Sequence, residues 1–164
     1  MILKNFYAFG RFFYIFYLLD IKFLFCYAFP TFVGGIDLQE KILNLIENDR
    51  EKIVNFCAEL VRCDTSSSHG DTRSAAKFIK NFFDEEKIYY QEISACKTMP
   101  NLISSTEMKK KGKHLMLNGH LDVMPAGNEP GWLVKPFSGI IQDGKIIGRG
   151  TSDMKAGVTA IIFA

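Results

Sequence analysis

The chain has 164 residues, 48% hydrophobic and 23% charged, enough to bury one ordinary core but hardly two. Its 20 basic and 18 acidic residues leave a formal charge of +2 and are spread along the sequence, with Met108 to Lys113 the one basic cluster, which argues against a nucleic-acid partner. The four cysteines, Cys26, Cys57, Cys63 and Cys96, form no C-x-x-C pair and none stands in zinc-finger spacing to a histidine, so they are expected to be reduced, mostly buried thiols.

Residues 1–35 differ from everything that follows. The stretch from Asn5 to Gly35 holds nine of the fifteen phenylalanines, yet Arg11, Asp20 and Lys22 interrupt it before an uncharged run reaches the ~18 residues that a membrane span needs. As a signal peptide it has Lys4 and Arg11 ahead of an apolar stretch, but Asp20 breaks that stretch and no A-x-A site follows. Three readings stand: an N-terminal extension with no native partner in the fold, a membrane anchor, or a signal segment. The first keeps the protein cytoplasmic; the others make it membrane-anchored or secreted.

A soluble domain pattern occupies residues 37–164. Asn48 or Asp49 can cap a helix in which Ile53, Val54, Cys57, Leu60 and Val61 recur at helical spacing. The polar loop "DTSSSHGDT" follows at 64–72, and then Ala75, Ala76, Ile79, Phe82 and Phe83 mark a second amphipathic helix ending near Lys87. "IYYQEI" and "NLISS" read as short strands, and "MKKKGK" as a solvated surface turn.

"HLMLNG", residues 114–119, is predicted to be a strand. Its unalternated Leu115, Met116 and Leu117 suggest that both faces are covered, as at the parallel centre of an α/β sheet. His120 and Asp122 fall just past its carboxyl end, where open α/β sheets gather their ligands. Their i, i+2 spacing in an extended segment points both side chains one way, so the carboxylate can orient the imidazole through its second nitrogen. A His-x-Asp standing alone is also compatible with a purely structural histidine. Downstream come a loop bearing Trp132 and Phe137, a hairpin signalled by Asp143-Gly144, and then Asp153 between a glycine turn and the apolar run "KAGVTAII". By itself Asp153 need do no more than cap a helix.

Other constellations carry less. Ser66 to Ser68, His69 and Asp71 place triad residue types in one loop, but sequence neighbours rarely reach triad geometry. "GRGTSDMKAG" lacks both the G-K-[ST] and the G-x-G-x-x-G spacing of phosphate loops. His114, at the start of its segment, reads as a packed or edge histidine rather than a ligand.

Taken together, "GHLDVMPAG" and "W…PFSG…DGKIIGRGTSDMKAG" resemble the family of co-catalytic zinc aminoacylases and peptidases. That family includes acetylornithine deacetylase, succinyl-diaminopimelate desuccinylase, aminoacylase and the glutamate carboxypeptidases. "LVRCDTSSSHGDTRSAAKFIKNFF" and "PNLIS" are similar to its N-terminal helices and second strand, so the resemblance covers residues 50–164. It implies a three-layer α/β/α catalytic domain. It further implies that His120 is a ligand of one zinc, that Asp122 orients that histidine and counts as catalytic, and that Asp153 bridges two zinc ions and precedes a cis peptide bond. The chemistry suits these residue types: two zinc ions need an anionic bridge to offset their repulsion, a shared water then becomes hydroxide near neutral pH, and neutral imidazole is a good terminal ligand. Cobalt or manganese can substitute.

The chain departs from the family pattern by stopping at Ala164, inside the helix after the bridging aspartate. The resemblance places beyond that point a Glu-Glu pair supplying the general base and a further ligand, the remaining metal ligands, an inserted dimerisation domain and the last strands of the sheet. The expectation is therefore the N-terminal part of a metal-dependent amidohydrolase, homodimeric when complete and inactive as this chain alone. The leading substrate class is an N-acyl amino acid of the acetylornithine or succinyl-diaminopimelate type. A metallo-dipeptidase or carboxypeptidase acting on short peptides is the alternative within the family, and a non-catalytic remnant with a partial metal site the alternative outside it.

Overall fold

A computed structural model of the chain describes residues 15–17, 35–66, 70–106, 112 and 114–164. Everything else in it is organised around one helix. Strand β1 is Ile15–Tyr17, helix α1 Gly35–Asn48, α2 Arg50–Arg62 and α3 Arg73–Glu85; strands β2 (Tyr90–Cys96), β3 (Met99–Ser104), β4 (Ile140–Gln142) and β5 (Lys145–Ile147) follow, and α4 is Ala156–Ile162.

α2 forms because its apolar residues recur at helical spacing, with Glu51 in the first turn and Arg62 in the last, each on the favourable side of the helix dipole. Asp49 stands at its N-cap without a side-chain capping bond, and Cys63, in an extended conformation, ends it. Unlike a surface helix, α2 buries residues on two faces. Phe56 and Leu60 join Ala75, Ile79 and Phe83 of α3 and Val158 of α4 in one core. Val54, Cys57, Ala58 and Val61 pack on Ile146 of β5 in a second. Leu60 and Val61 are 0% exposed, and each contributes about 1.5–3 kcal/mol by leaving water. Phe56 also lies against the rings of Phe78, Phe82 and Phe163, with centroids 4.9, 4.7 and 5.4 Å away. α3 ends where Lys87 turns left-handed (φ 57°) and Ile88 N–H donates back to Phe83 O at 2.8 Å.

Both expected short strands form, as the hairpin β2–β3, whose register is irregular between Ile93 and Cys96. The Asp143-Gly144 signal is met by the β4–β5 hairpin, with φ 50° and 69° at the two turn residues, as a type I′ turn requires. β5 is the middle strand of a three-stranded sheet whose other edge is β1, paired antiparallel with Phe16 opposite Ile146. β1 lies within the aromatic-rich segment; the rest of residues 1–34 falls outside the described residues, as do Cys26, Ser67 to His69 and most of the basic turn at 108–113.

Two expectations need correction. Residues 114–119 are not a strand, and Leu115 and Met116 are 67% and 90% exposed. A strand exists only where its N–H and C=O groups find a ladder, and among the described residues none runs alongside this segment, so apolar character by itself does not bury it. The expected parallel pairing is likewise absent among the described strands, which all pair antiparallel. What stands is a mixed α/β arrangement of four helices around two small sheets among the described residues. α1 was not legible as a separate element, although Ile42, Leu45 and Ile46 follow helical spacing; Ile42 and Leu45 are exposed. Among the described residues no helix is long and apolar enough to cross a membrane.

The three described cysteines are free, but only Cys57 of them is buried; Cys63 is half-buried and Cys96 exposed. Burial pushes the Cys57 thiol up to about 11 and raises that of Cys63, whereas the Thr98 hydroxyl and nearby backbone lower that of Cys96. Since the thiolate is the reactive form, iodoacetamide at pH 8 should alkylate Cys96 first of these three and Cys57 last, as read by peptide mass spectrometry over time. Labelling of Cys57 as fast as Cys96 would contradict the burial described here.

Candidate metal centre

The segment after residue 119 is extended without being a strand, and it alternates. Leu121 packs against the α2–α3–α4 core and Val123 is buried, while His120 and Asp122 face outward. The expected common orientation of the two polar side chains is thus present. Gly119 lets the segment lie close to α4, since a Cβ there would come within 2.9 Å of Val158 Cγ2.

Asp153 reaches the same place from the other side. Gly150, left-handed at φ 82°, opens a wide turn over Thr151–Lys155 that Lys155 N–H closes on Gly150 O at 2.9 Å. Asp153 and Met154 leave helical geometry inside this turn, and the Asp153–Met154 peptide bond is cis. A helix cap is not what Asp153 supplies: α4 begins after it, at Ala156, and has no side-chain capping bond. Its carboxylate instead lies 3.0 Å from His120 Nε2.

The other imidazole nitrogen decides the electrostatics. His120 Nδ1 is 3.0 Å from the backbone carbonyl of Asp122 and 3.3 Å from its carboxylate Oδ1. Both the side chain and the carbonyl of Asp122 thus face His120 Nδ1. A carbonyl only accepts, so Nδ1 carries the proton when that bond is made, and in the neutral ring Nε2 presents a lone pair to the Asp153 carboxylate. Two acceptors 3.0 Å apart call for a positive charge between them, a proton or a cation. Partial burial opposes the imidazolium, but the Asp122 carbonyl and the Asp153 and Asp122 carboxylates outweigh it and hold the His120 pKa above its ordinary 6.5.

An imidazole and a carboxylate are donors that zinc takes, so the pair fits half of a metal site. Among the described residues no group of three or more His, Cys, Asp and Glu is placed to hold a metal ion by itself. Of the serine-rich loop, Ser67 to His69 lie outside the described residues; Ser66 Oγ and N–H both donate to Asp64 Oδ1, and Asp71 is held by Arg73, whose guanidinium keeps the carboxyl down at about 2. His114 is exposed, outside any strand.

Three residues not singled out from the sequence frame the centre. Thr65 Oγ1 donates to Leu121 O at 2.6 Å, and Thr65 O accepts Val123 N–H at 3.3 Å. Lys155, 0% exposed, donates from Nζ to Cys63 O at 2.5 Å; burial lowers its pKa to about 8. Arg149 lies 5.1 Å from the Trp132 ring, and both donate to Ala126 O, tying the tryptophan loop to the turn before Asp153. The only signal for Lys155 was a charge opening an apolar run; Thr65 had none.

Residues 116–164, which carry His120, Asp122 and Asp153, match the model of peptidase family M20/M25/M40. The chain is 37% identical over 111 residues to a succinyl-diaminopimelate desuccinylase 2 of Ruegeria sp. (strain TM1040), covering 68% of this chain and 27% of that protein. It is 31% identical over 117 residues to a probable succinyl-diaminopimelate desuccinylase of Staphylococcus aureus (strain MRSA252), covering 71% and 28%. The chain thus spans less than a third of the length of these curated relatives.

Gly150 brings the two halves together, because a Cβ there would lie 2.3 Å from Val123 Cγ1. Gly144 has a similar φ of 69° but open space around it. Gly144→Ala should therefore cost only the left-handed strain, about 1–2 kcal/mol, and Gly150→Ala a further 1–3 kcal/mol from overpacking. Urea unfolding of both variants checks this, and equal midpoints would remove the close contact between Gly150 and Val123.

Proposed function

We propose that this chain, which belongs to peptidase family M20/M25/M40, carries part of the metal centre of a zinc-dependent amidohydrolase. The observation that carries the reading is the convergence of His120 Nε2 and Asp153 Oδ1, two acceptors 3.0 Å apart supplied by separate segments. In the complete enzyme we assign His120 as a terminal ligand, Asp153 as the carboxylate shared by two zinc ions, and Asp122 as the residue that fixes the histidine tautomer. Zinc held there supplies Lewis-acid polarisation of an amide carbonyl. The residues of this chain contribute geometry: the Asp122 carbonyl keeps the proton on Nδ1 and so leaves the Nε2 lone pair for a cation, and Asp153 offsets its positive charge.

The substrate we propose is an N-acyl amino acid of the succinyl-diaminopimelate type, supported by the names that the relatives carry. The complete protein is read as a homodimer built on a three-layer α/β/α domain, working in the cytoplasm. Two of the donors are identified among the described residues, whereas a catalytic zinc usually takes three. Weak metal binding without turnover is the consequence for this chain.

Calorimetric titration of the purified chain with Co²⁺ tests the centre. Binding should be lost in His120→Ala and Asp153→Ala, and weakened on the order of 10–100-fold in Asp122→Asn; binding unchanged in Asp153→Ala would remove that residue from the centre. Hydrolysis is assayed with N-succinyl-diaminopimelate, N-acetylornithine and a panel of dipeptides. The expected result is no turnover above a metal-free control. Metal-dependent turnover that disappears in His120→Ala would show that this chain already holds a sufficient catalytic set, and its preferred substrate would decide between deacylase and dipeptidase.

A further inference from the structure

We infer that Thr65 and Lys155 are positioning residues that hold the two halves of the candidate centre in register through one short loop, Cys63–Thr65. This rests on the metal-centre reading above, but its geometry is independent of any ion. His120 and Asp122 stand on a segment in no sheet, so no ladder fixes their place. Thr65 supplies that fixation from both sides of Asp122: its hydroxyl donates to Leu121 O at 2.6 Å, and its carbonyl accepts Val123 N–H at 3.3 Å. Asp153 stands in a turn that departs from helical geometry, and two residues on, the Lys155 ammonium reaches back to Cys63 O at 2.5 Å. The two points of attachment, Cys63 and Thr65, are thus two residues apart just past the end of α2, the helix that both cores share.

Both anchors are buried, Thr65 at 1% and Lys155 at 0% exposure. A hydroxyl or ammonium so enclosed holds its acceptor without competition from water. The Lys155 stem also packs beneath the turn, where the Cδ lies 3.6 Å from the position that a Gly150 Cβ would take. Loss of either anchor frees one half of the centre to drift relative to the other, and a displacement of a few tenths of an ångström is enough to spoil a shared cation site.

The test separates positioning from plain stability. Thr65→Val keeps the branched shape and removes the donor; Thr65→Ser restores the donor; Lys155→Met keeps most of the stem and removes the charge. Val54→Ala, in the β5-facing core, serves as a variant that loses packing without touching either anchor. Two signals are read in the full 164-residue chain: the imidazole ¹⁵N resonances of His120 without metal, and Co²⁺ affinity by calorimetry, both below the unfolding midpoint of each variant. Thr65→Val and Lys155→Met should each shift the imidazole resonances and weaken Co²⁺ about tenfold. Thr65→Ser should behave as the parent, and Val54→Ala should lower the midpoint while leaving both signals in place. Parent-like resonances in Thr65→Val and Lys155→Met, or the same shift in Val54→Ala, would overturn the inference. Should Thr65→Val not fold, Lys155→Met decides from the other half. If the parent chain binds no Co²⁺, the metal reading fails on that result, and the metal-free resonances still decide whether the two residues position His120.

Discussion

A fully buried ammonium must find a partner, because leaving a charge unpaired in a protein interior costs several kcal/mol. Lys155 finds its partner at the C-terminal end of α2, where Cys63 presents a carbonyl that the helix itself cannot satisfy and where the dipole favours positive charge. Burial still depresses its pKa, with Asp64 and the two neighbouring thiols acting in the opposite direction. That contact ties the turn at 151–155, which carries Asp153, to the end of α2. The start of α4, the close approach of Gly150 to Val123 and the meeting of Asp153 with His120 lie around it.

α2 can serve as anchor because it is held from several directions. Its two apolar faces enter different cores, and Arg62 in its last turn donates from Nε to Ser138 O at 3.0 Å and from Nη2 to Gly139 O at 3.1 Å. The guanidinium also pairs with Glu59 one turn back. Helix, β4–β5 hairpin and centre are consequently linked by a few directed bonds around a packed helix. The centre itself needs no burial: the His120 and Asp153 side chains are exposed, and what matters there is that two acceptors face each other.

The exposed apolar segment at 115–117 follows the opposite logic. Leu115, Met116 and Leu117 have the composition of an inner strand and lie open to solvent, close in sequence to the hydrogen-bonded Leu121–Val123 stretch. Burial begins where Thr65 supplies hydrogen bonds, not where hydrophobicity is highest. Backbone pairing, rather than side-chain character, sets the boundary.

From sequence alone α2, α3 and the β4–β5 turn are readable, and His120, Asp122 and Asp153 stand out as candidates for the chemistry. Helical spacing in α2 and α3 and the Asp143-Gly144 turn depend on neighbours within a few residues, so they were legible one segment at a time. His120, Asp122 and Asp153 were singled out by residue type and by resemblance, and the i, i+2 alternation gave the first two a common side. Only the tertiary structure decided what depends on residues distant in the chain. It left 114–119 without a ladder, turned the Asp122 carbonyl toward Nδ1, and brought His120 to Asp153 across 33 positions. It also recruited Lys155 to a carbonyl 92 positions away and Thr65 to one 56 away. Such bonds have no sequence period, because a threonine or lysine carries the same local signal whether it meets water or a buried carbonyl; packing alone tells them apart.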